Sequence, residues 1–216
     1  MASIQDIAVL DPKNPGNVII PALGQSVQLS KTREGAFYDT VEQASGAVTA
    51  NAELVLFRDF ANKNQHHMNV SKNGKLPANN EMAMSRTGVY VLQAQGNTMA
   101  TDDDIIKVTH DASLRFHIND RLVIDGQPLY TLPSGYGIAG MTTRNATGIV
   151  TVGIPSQTAV PTLFRAQPLF DKDDIKSFID FKNNIWVTGG SAMPTLTNAV
   201  YFTHYLFGLI KTPVAN

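Results

Sequence analysis

The amino-acid sequence predicts an all-β protein. Short apolar runs recur along the chain, glycine and proline separate them (16 Gly and 11 Pro among 216 residues), and few stretches carry helix start signals. A chain of this length with about eight strands is typical of two packed antiparallel sheets. The sequence therefore predicts a jelly-roll-type β-sandwich with long loops and one or two short helices.

The strand predictions follow the chain from its N-terminal region. The run "NVIIPALGQSVQLS" predicts two short extended pieces around Pro21 and Gly24. The clearest alternation is in "LRFHIND", which places Leu114, Phe116 and Ile118 on one face of a strand. The other strand candidates are "AELVLFRDF", with Leu56 and Phe57 on opposite faces, "TGVYVLQAQG", "RLVIDGQPLYTL", "TGIVTVGIP" and "AVYFTHYLFGLIKTPV". Together these runs are enough for two sheets.

Helix signals are confined to two acidic segments. In "TDDDIIKVTHDA", Thr101 is a possible N-cap and the aspartates that follow suit the first turn of a short helix. The segment "DKDDIKSFIDF", from Asp171, has the same start signal but also apolar residues two apart, so helix and strand both stay open. Residues 61–82 are polar and rich in asparagine, which predicts an exposed loop.

The domain organisation follows from the absence of an internal repeat or a linker in the sequence. We expect an extended N-terminal segment over residues 1–24 and a single β-sandwich domain over residues 25–216. The N-terminal residues lack the basic start and long apolar run of a signal peptide, and no apolar run has the length of a membrane helix. The sequence thus predicts a soluble protein without a cleaved leader.

The composition is low in charge. Only 16% of the residues are Asp, Glu, Lys or Arg, against about 25% in typical domains, and 43% are hydrophobic. Either the chain is an unusually neutral monomer or much of its surface is buried against other subunits, and the depletion of charge at interface cores favours the second interpretation. Sandwich edges without protective lysines are also expected to be hidden by a neighbouring subunit. With a net charge of −1 and no polybasic arm, no direct nucleic-acid binding is predicted.

Residues 130–155 are the most unusual stretch. They are punctuated by glycine and carry no charge except Arg144, although a solvated loop normally carries more. We expect neighbouring copies of the protein to cover this stretch. The candidate inter-subunit contact residues are four from this stretch and the single tryptophan: Tyr136, Gly137, Met141, Arg144 and Trp186.

No arrangement of residues predicts an active site. The candidates considered for metal or nucleotide binding each lack a required feature of spacing or context: His66 with His67, His110 with His117, Asp102 to Asp104, Asp171 with Asp173 and Asp174, and Gly135, Gly137 and Gly140. Likewise "LPSGYG" is not a nucleophile elbow. With no cysteine, disulfides and thiolate chemistry are excluded. The sequence predicts no catalytic residue, no cofactor, no metal, no small-molecule substrate and no enzymatic activity.

The order of the segments resembles that of a known family. A strand "AELVLFRDF", a polar loop, "TGVYVLQAQG", a short acidic helix and the block of residues 114–140 are similar to the small β-rich virion proteins of tailless icosahedral bacteriophages, whose capsomers are built from upright jelly rolls. The resemblance covers about half of the chain. It implies one jelly roll per chain, or an unusually compact double one.

The resemblance also implies a function and a location. The protein would be a capsid protein that oligomerises into trimeric or pseudo-hexameric capsomers, made in the host cytoplasm and located in the virion. Its partners would be copies of itself and other virion proteins. Which face meets the genome or an internal membrane stays open, as do the host and the symmetry.

Two alternatives belong to other classes. A β-sandwich that binds carbohydrate or a receptor, on a phage fibre or a cell surface, would present aromatic side chains in a row, and the sequence shows no such cluster. A β-barrel enzyme is the third hypothesis, and the missing metal and acid–base sets disfavour it.

Overall fold

A computed structural model of the chain describes residues 7–58, 60, 63, 67–71, 74–93, 102–132, 142–145, 148–151, 162–181 and 193–212. The all-β prediction is confirmed, because strands dominate these residues. In chain order they are β1 (Val9–Leu10), β2 (Asn17–Ile20), β3 (Gln25–Gln28), β4 (Thr32–Gln43), β5 (Gly46–Ala47), β6 (Glu53–Leu56), β7 (Glu81–Gln93), the helix α1 (Asp102–Asp111), β8 (Ala112–Ile118), β9 (Arg121–Pro128), β10 (Thr142–Asn145), β11 (Gly148–Thr151), β12 (Thr162–Phe170), β13 (Ile175–Phe181), β14 (Thr195–Leu196) and β15 (Val200–Lys211). The 3-10 helices Leu29–Lys31 and Leu129–Thr131 precede β4 and follow β9.

Two four-stranded antiparallel sheets form the sandwich. The first, called the β15 sheet, has the order β12-β7-β15-β4, and the second, called the β8 sheet, has the order β6-β13-β8-β9. Among these eight strands the first pairs with the last, the second with the seventh, the third with the sixth and the fourth with the fifth. The eight strands are therefore paired like the two arms of one long hairpin, with its tip at the turn between β8 and β9.

The core lies between the two sheets. Leu114, Phe116 and Ile118 of β8 are buried there, which confirms the alternation predicted for this strand. Across the core, Phe202 of β15 meets Phe181 of β13 edge to face, with ring centroids 6.0 Å apart. Alternate residues of each strand thus point into one shared apolar interior, as aligned sheet packing requires.

The end of β6 departs from the predicted alternation. Leu56 and Phe57 were expected on opposite faces, but both are fully buried. The strand ends at Leu56, and Phe57 adopts a φ of 63°, which turns its side chain into the core. Its backbone N–H donates to the Asp39 carboxylate of β4 at 2.6 Å, so a contact distant in sequence fixes this conformation.

The two acidic segments fold differently. The helix predicted after Thr101 is confirmed as α1, although Thr101 itself lies outside the described residues. The ambiguous segment after Asp171 is the strand β13. A turn precedes it, in which the Asp173 carboxylate accepts the Phe170 N–H at 2.9 Å, so the second start signal serves a turn and not a helix.

The exposed loop predicted over residues 61–82 is described only in part. Val70 and Leu76 are buried in the core, and Met82 belongs to β7, so the prediction of exposure is wrong for these residues. These three residues are apolar, and the many asparagines around them led to the prediction that the whole segment is exposed.

The N-terminal strands β1, β2 and β3 form a small antiparallel sheet, which confirms the two extended pieces around Pro21 and Gly24. Val18, Ile20 and Val27 pack from this sheet against Ala83 of β7 and Leu209 of β15, on the outer side of the β15 sheet. The predicted boundary after residue 24 falls in the turn between β2 and β3. The division into a segment 1–24 and a domain 25–216 stays a prediction.

Gly208 is a position where the close approach of two strands requires glycine. The register between β15 and β7 shifts there, and an added Cβ would lie 2.1 Å from the Ala83 carbonyl oxygen. We expect Gly208→Ala to lower the free energy of unfolding by about 2–3 kcal/mol, because backbone must move. Urea denaturation followed by far-UV circular dichroism measures the change.

Gly35 of β4 supplies the control for this substitution. A Cβ added there would meet the flexible end of the Ile210 side chain, at 2.8 Å, and no backbone atom within 3.4 Å. Gly35→Ala is expected to cost less than about 1 kcal/mol. Equal losses for the two variants would contradict the role assigned to the backbone contact at Gly208.

Candidate functional site

The outer face of the β15 sheet carries a row of aromatic side chains. Residues of β15 alternate, so that Tyr205 and Phe207 point outward while His204 and Leu206 point into the core. Tyr205 is in register with Tyr38 of β4, and their rings lie 5.5 Å apart at 42°. Phe207 stacks on Tyr205 with ring centroids 5.5 Å apart and planes at 19°. We call Tyr38, Tyr205 and Phe207 the aromatic row; all three are partly exposed.

Hydroxyl groups adjoin the aromatic row. Thr40 and Thr203, the next registered pair on the same face, share a hydrogen bond of 2.9 Å and are buried. Beyond them, burial and the nearby Glu42 carboxylate raise the pKa of Tyr201, so its phenol stays protonated well above neutral pH. The middle of the outer face of the β15 sheet therefore carries aromatic rings and hydroxyl groups, which are uncharged.

The aromatic row was not predicted from the sequence, although the sequence contains a pattern that indicates part of it. In "VYFTHYLF" the residues Tyr201, Thr203, Tyr205 and Phe207 recur with a period of two. That spacing alone placed them on one face of a strand. The neighbour Tyr38 lies more than 160 residues away and joins the row only through the pairing of β4 with β15.

The core between the sheets contains a buried polar network centred on His204. Its Nε2 lies 2.6 Å from Thr87 Oγ1 of β7 and its Nδ1 lies 2.7 Å from Ser177 Oγ of β13. Thr87 Oγ1 donates to the Tyr205 carbonyl at 3.1 Å, so it accepts the Nε2 proton and Ser177 donates to Nδ1. The network satisfies both ring nitrogens and joins the two sheets.

His204 is not placed for catalysis. Its side chain and that of Ser177 are fully buried, and Thr87 is 1% exposed, so no substrate reaches them. Burial lowers the pKa of His204 to about 3, which keeps the imidazole neutral. Edge-to-face contacts with Phe57 and Phe116 complete its surroundings. The serine and histidine therefore stabilise the fold instead of activating a nucleophile.

Four of the six aspartates considered as metal ligands have protein partners: Asp104, Asp171, Asp173 and Asp174. Asp104 accepts the backbone N–H groups of Thr197 and Asn198 at 2.9 and 3.1 Å. Asp174 pairs with Arg58 and Lys176, each at 3.0 Å. Within the ranges that the structure describes, no group of three or more His, Asp or Glu side chains is placed to hold a metal ion. These carboxylates hold loops and strand ends together.

The predicted contact residues fall mostly outside the described ranges. Tyr136, Gly137, Met141 and Trp186 all lie there, as does His66. The backbone of Arg144 belongs to β10 and pairs with Ile149 of β11; its side chain is not described. The predicted contact surface over residues 130–155 therefore stays a prediction.

His117 lies on the outer face of β8, where its ring meets Phe178 edge to face at 5.9 Å. Arg115, on the same face, lies 5.0 Å from the Phe178 ring centre and binds Asp180 and Glu53. This face of the β8 sheet is therefore held by ion pairs, in contrast to the aromatic row.

Sheet edges are more protected than the sequence indicated. The edge strands β9 and β12 contain register shifts, and Pro128 and Pro168 lie in them. Bulges and prolines both hinder the addition of another strand. These features protect the edges of β9 and β12 within the subunit, and the expectation that a neighbouring subunit hides the sheet edges stays a prediction.

No protein-family model, curated protein or solved structure matches this chain. In the described part of the chain, no helix is long and apolar enough to span a membrane.

Proposed function

We propose that this chain is a structural virion protein, a capsid subunit that assembles with copies of itself into an icosahedral shell. The observation that carries the proposal is the strand pairing, in which β4 pairs with β15, β6 with β13, β7 with β12 and β8 with β9. This nested order is the one expected of a jelly roll, a double-sheet fold that recurs in viral capsid proteins. The segment order of the sequence, which resembles that of phage virion proteins, supports the same proposal.

The surface chemistry supports self-assembly. Tyrosine and phenylalanine are enriched and charges are depleted at the cores of protein interfaces, and the aromatic row has this composition. The phenol groups of Tyr38 and Tyr205, which are partly exposed, can be covered by another copy at a smaller desolvation cost than ions. A chain with only 16% charged residues is also weakly protected against association.

The proposal predicts an oligomer in solution. Purified full-length protein is expected to elute as capsomers or shells on size exclusion with light scattering, and to show particles by negative-stain electron microscopy. Phe207→Lys, in the aromatic row, is expected to reduce assembly while far-UV circular dichroism stays unchanged. Leu122→Lys, at an exposed leucine of β9 in the β8 sheet, is the matched control. A strict monomer at every protein and salt concentration would overturn the proposal.

A second candidate function is the binding of carbohydrate, and the aromatic row favours it as well. Jelly rolls occur in lectins, and rings presented along a sheet face offer the flat apolar surface on which a sugar ring stacks. A glycan array separates the two functions. A monomer whose glycan binding is lost in Phe207→Ala and kept in Phe178→Ala supports the second function over the first.

A further inference from the structure

A lysine and an aspartate meet in the interior beside β4. Lys63 Nζ lies 2.8 Å from Oδ1 and 2.9 Å from Oδ2 of Asp39. The Asp39 side chain is fully buried and that of Lys63 is 13% exposed. Two ion pairs of lysine elsewhere in the described chain have side chains between 23% and 33% exposed: Lys176 with Asp174, and Lys211 with Glu81. The pair beside β4 is therefore better shielded from water than these two.

The two distances also bring the lysine nitrogen close to the carboxyl carbon. Both oxygens of Asp39 are bonded to Cγ, so a nitrogen near both of them lies within the near-attack separation of about 3–3.5 Å from Cγ. Groups held at this separation react as if each were present at a concentration far above that of any solution. Lys63 is therefore placed to attack the carboxyl carbon of Asp39.

A backbone donor is aimed at the second oxygen. The Phe57 N–H donates to Asp39 Oδ2 at 2.6 Å. Its direction is fixed, because Phe57 has a φ of 63° and a fully buried side chain. When an amine attacks a carboxyl carbon, negative charge develops on the remaining oxygen, and a donor already in position stabilises it. Phe57 thus supplies an oxyanion donor at the atom that needs one.

The surroundings of the pair are apolar. Met68 lies beside Asp39 in an isolated β-bridge, and both Met68 and Phe57 belong to the main hydrophobic cluster. Charged groups lose hydration in such a site. Proton transfer along the 2.8 Å hydrogen bond, from the Lys63 ammonium to Oδ1, gives an uncharged amine and an uncharged carboxylic acid. These are the forms that react to give an amide, and little water is present to hydrolyse it.

We propose that Lys63 and Asp39 form an intramolecular amide (isopeptide) bond. The ammonium gives one proton to Asp39 Oδ1, and the neutral amine attacks Cγ, so that a bond between Nζ and Cγ forms. A second proton passes from the nitrogen to the Oδ1 hydroxyl, the bond between Cγ and Oδ1 breaks, and one water molecule leaves. Oδ2 becomes the amide oxygen and keeps the Phe57 N–H. The ion pair is the reactant, and no oxidant, reductant or other reactant is consumed.

The bond would join β4 to the segment before β7. The two residues are 24 positions apart, and a crosslink over such a span restricts the unfolded chain as a disulfide does. The chain has no cysteine, and an amide crosslink needs no oxidising compartment. The inference does not rest on the proposed function, because both residues belong to one subunit.

Mass spectrometry of the full-length protein tests the bond directly. We expect the denatured parent chain to weigh one water molecule less than its sequence. After trypsin, cleavage at Lys63 is expected to fail, and the peptides of residues 34–58 and 59–72 are expected to stay joined through Asp39 and Lys63. Lys176 and Lys211, in the more exposed ion pairs, are expected in unjoined peptides, which gives an internal control.

Substitutions assign the loss of water to this pair. Lys63→Arg keeps the positive charge, but its guanidinium stays protonated and has no free lone pair for the attack. Lys63→Arg and Asp39→Ala are both expected to have the full sequence mass. Lys176→Arg makes the same change in an exposed ion pair and is expected to keep the water loss of the parent chain.

The outcomes separate this inference from the proposed function. A parent chain with its full sequence mass after prolonged incubation of the folded protein at neutral and mildly acidic pH would overturn the inference. A water loss that persists in Lys63→Arg would also overturn it, since another reaction, such as cyclisation of an aspartate, would then be the cause. The parent chain decides the matter even if a variant folds poorly. A joined peptide pair from a strictly monomeric protein would leave the inference standing and the capsid proposal overturned.

Discussion

Asp39→Ala is expected to lower the free energy of unfolding by about 3–5 kcal/mol. The Asp39 carboxylate is fully buried and binds the Lys63 ammonium at 2.8 and 2.9 Å, in addition to the Phe57 N–H. Without it, a lysine whose side chain is only 13% exposed loses its counter-charge. The backbone of Phe57, at φ 63°, loses the bond that holds it. Chemical denaturation at pH 7 measures the loss.

Two control variants show whether the buried charge is the cause. Lys63→Met in the Asp39→Ala background removes the unpaired ammonium and is expected to restore part of the stability. Arg58→Ala breaks the exposed pair with Asp174, whose side chains are 45% and 33% exposed, and is expected to cost less than about 1 kcal/mol. A loss at Arg58 equal to that at Asp39 would contradict this account.

His204 is expected to make the protein lose stability in mild acid. Burial lowers the pKa of His204 from 6.5 to about 3 in the folded chain. Between these two pH values the histidine is protonated in the unfolded chain but neutral in the folded chain. The stability from His204 is complete above pH 6.5 and falls as the pH drops from 6.5 towards 3. Between pH 6.5 and about 4.5, the loss is about 2 kcal/mol, because the unfolded histidine is half protonated at pH 6.5 and the slope approaches about 1.4 kcal/mol per pH unit only below it.

The pH dependence is assigned to His204 by substitution. His204→Gln is neutral at every pH, so its unfolding free energy is expected to be lower at pH 7 but nearly flat from pH 6.5 to about 4.5. His117→Gln, on the outer face of β8, should keep the slope of the parent chain. Urea denaturation at a series of pH values gives these slopes. An unchanged slope in His204→Gln would assign the acid sensitivity to other groups.

The structural features that could be predicted from the sequence are those that depend on residues close together in the chain. The alternation in β8 and the acidic start of α1 both depend on neighbouring residues, and both were found. The strand β13 stayed ambiguous because acids before an apolar run suit a turn as well as a helix cap. Pairing with β8 and β6 on its two sides settles it as a strand.

Contacts between distant residues could not be predicted. The positive φ of Phe57 depends on Asp39 in another sheet, and the aromatic row depends on the register of β4 with β15. Four histidines, at residues 66, 67, 110 and 117, were considered as metal ligands from the sequence. His204 was not among them, yet it is the one that lies in the buried hydrogen-bond network between the sheets. No motif marks a histidine whose partners come from β7 and β13. The predicted contact residues over residues 130–155 remain untested by the structure.

The position of β15 has a consequence for how a subunit matures. This strand is the last in the described chain, yet it lies in the middle of its sheet, between β7 and β4, and pairs with both along its length. Until it is inserted, neither neighbour has a partner on that side, and Tyr38 stands without Tyr205. Pairing over so long a sequence separation is also slow. The aromatic row, which we propose as a contact between copies, therefore forms only after β15 has entered its sheet, and the topology sets that order.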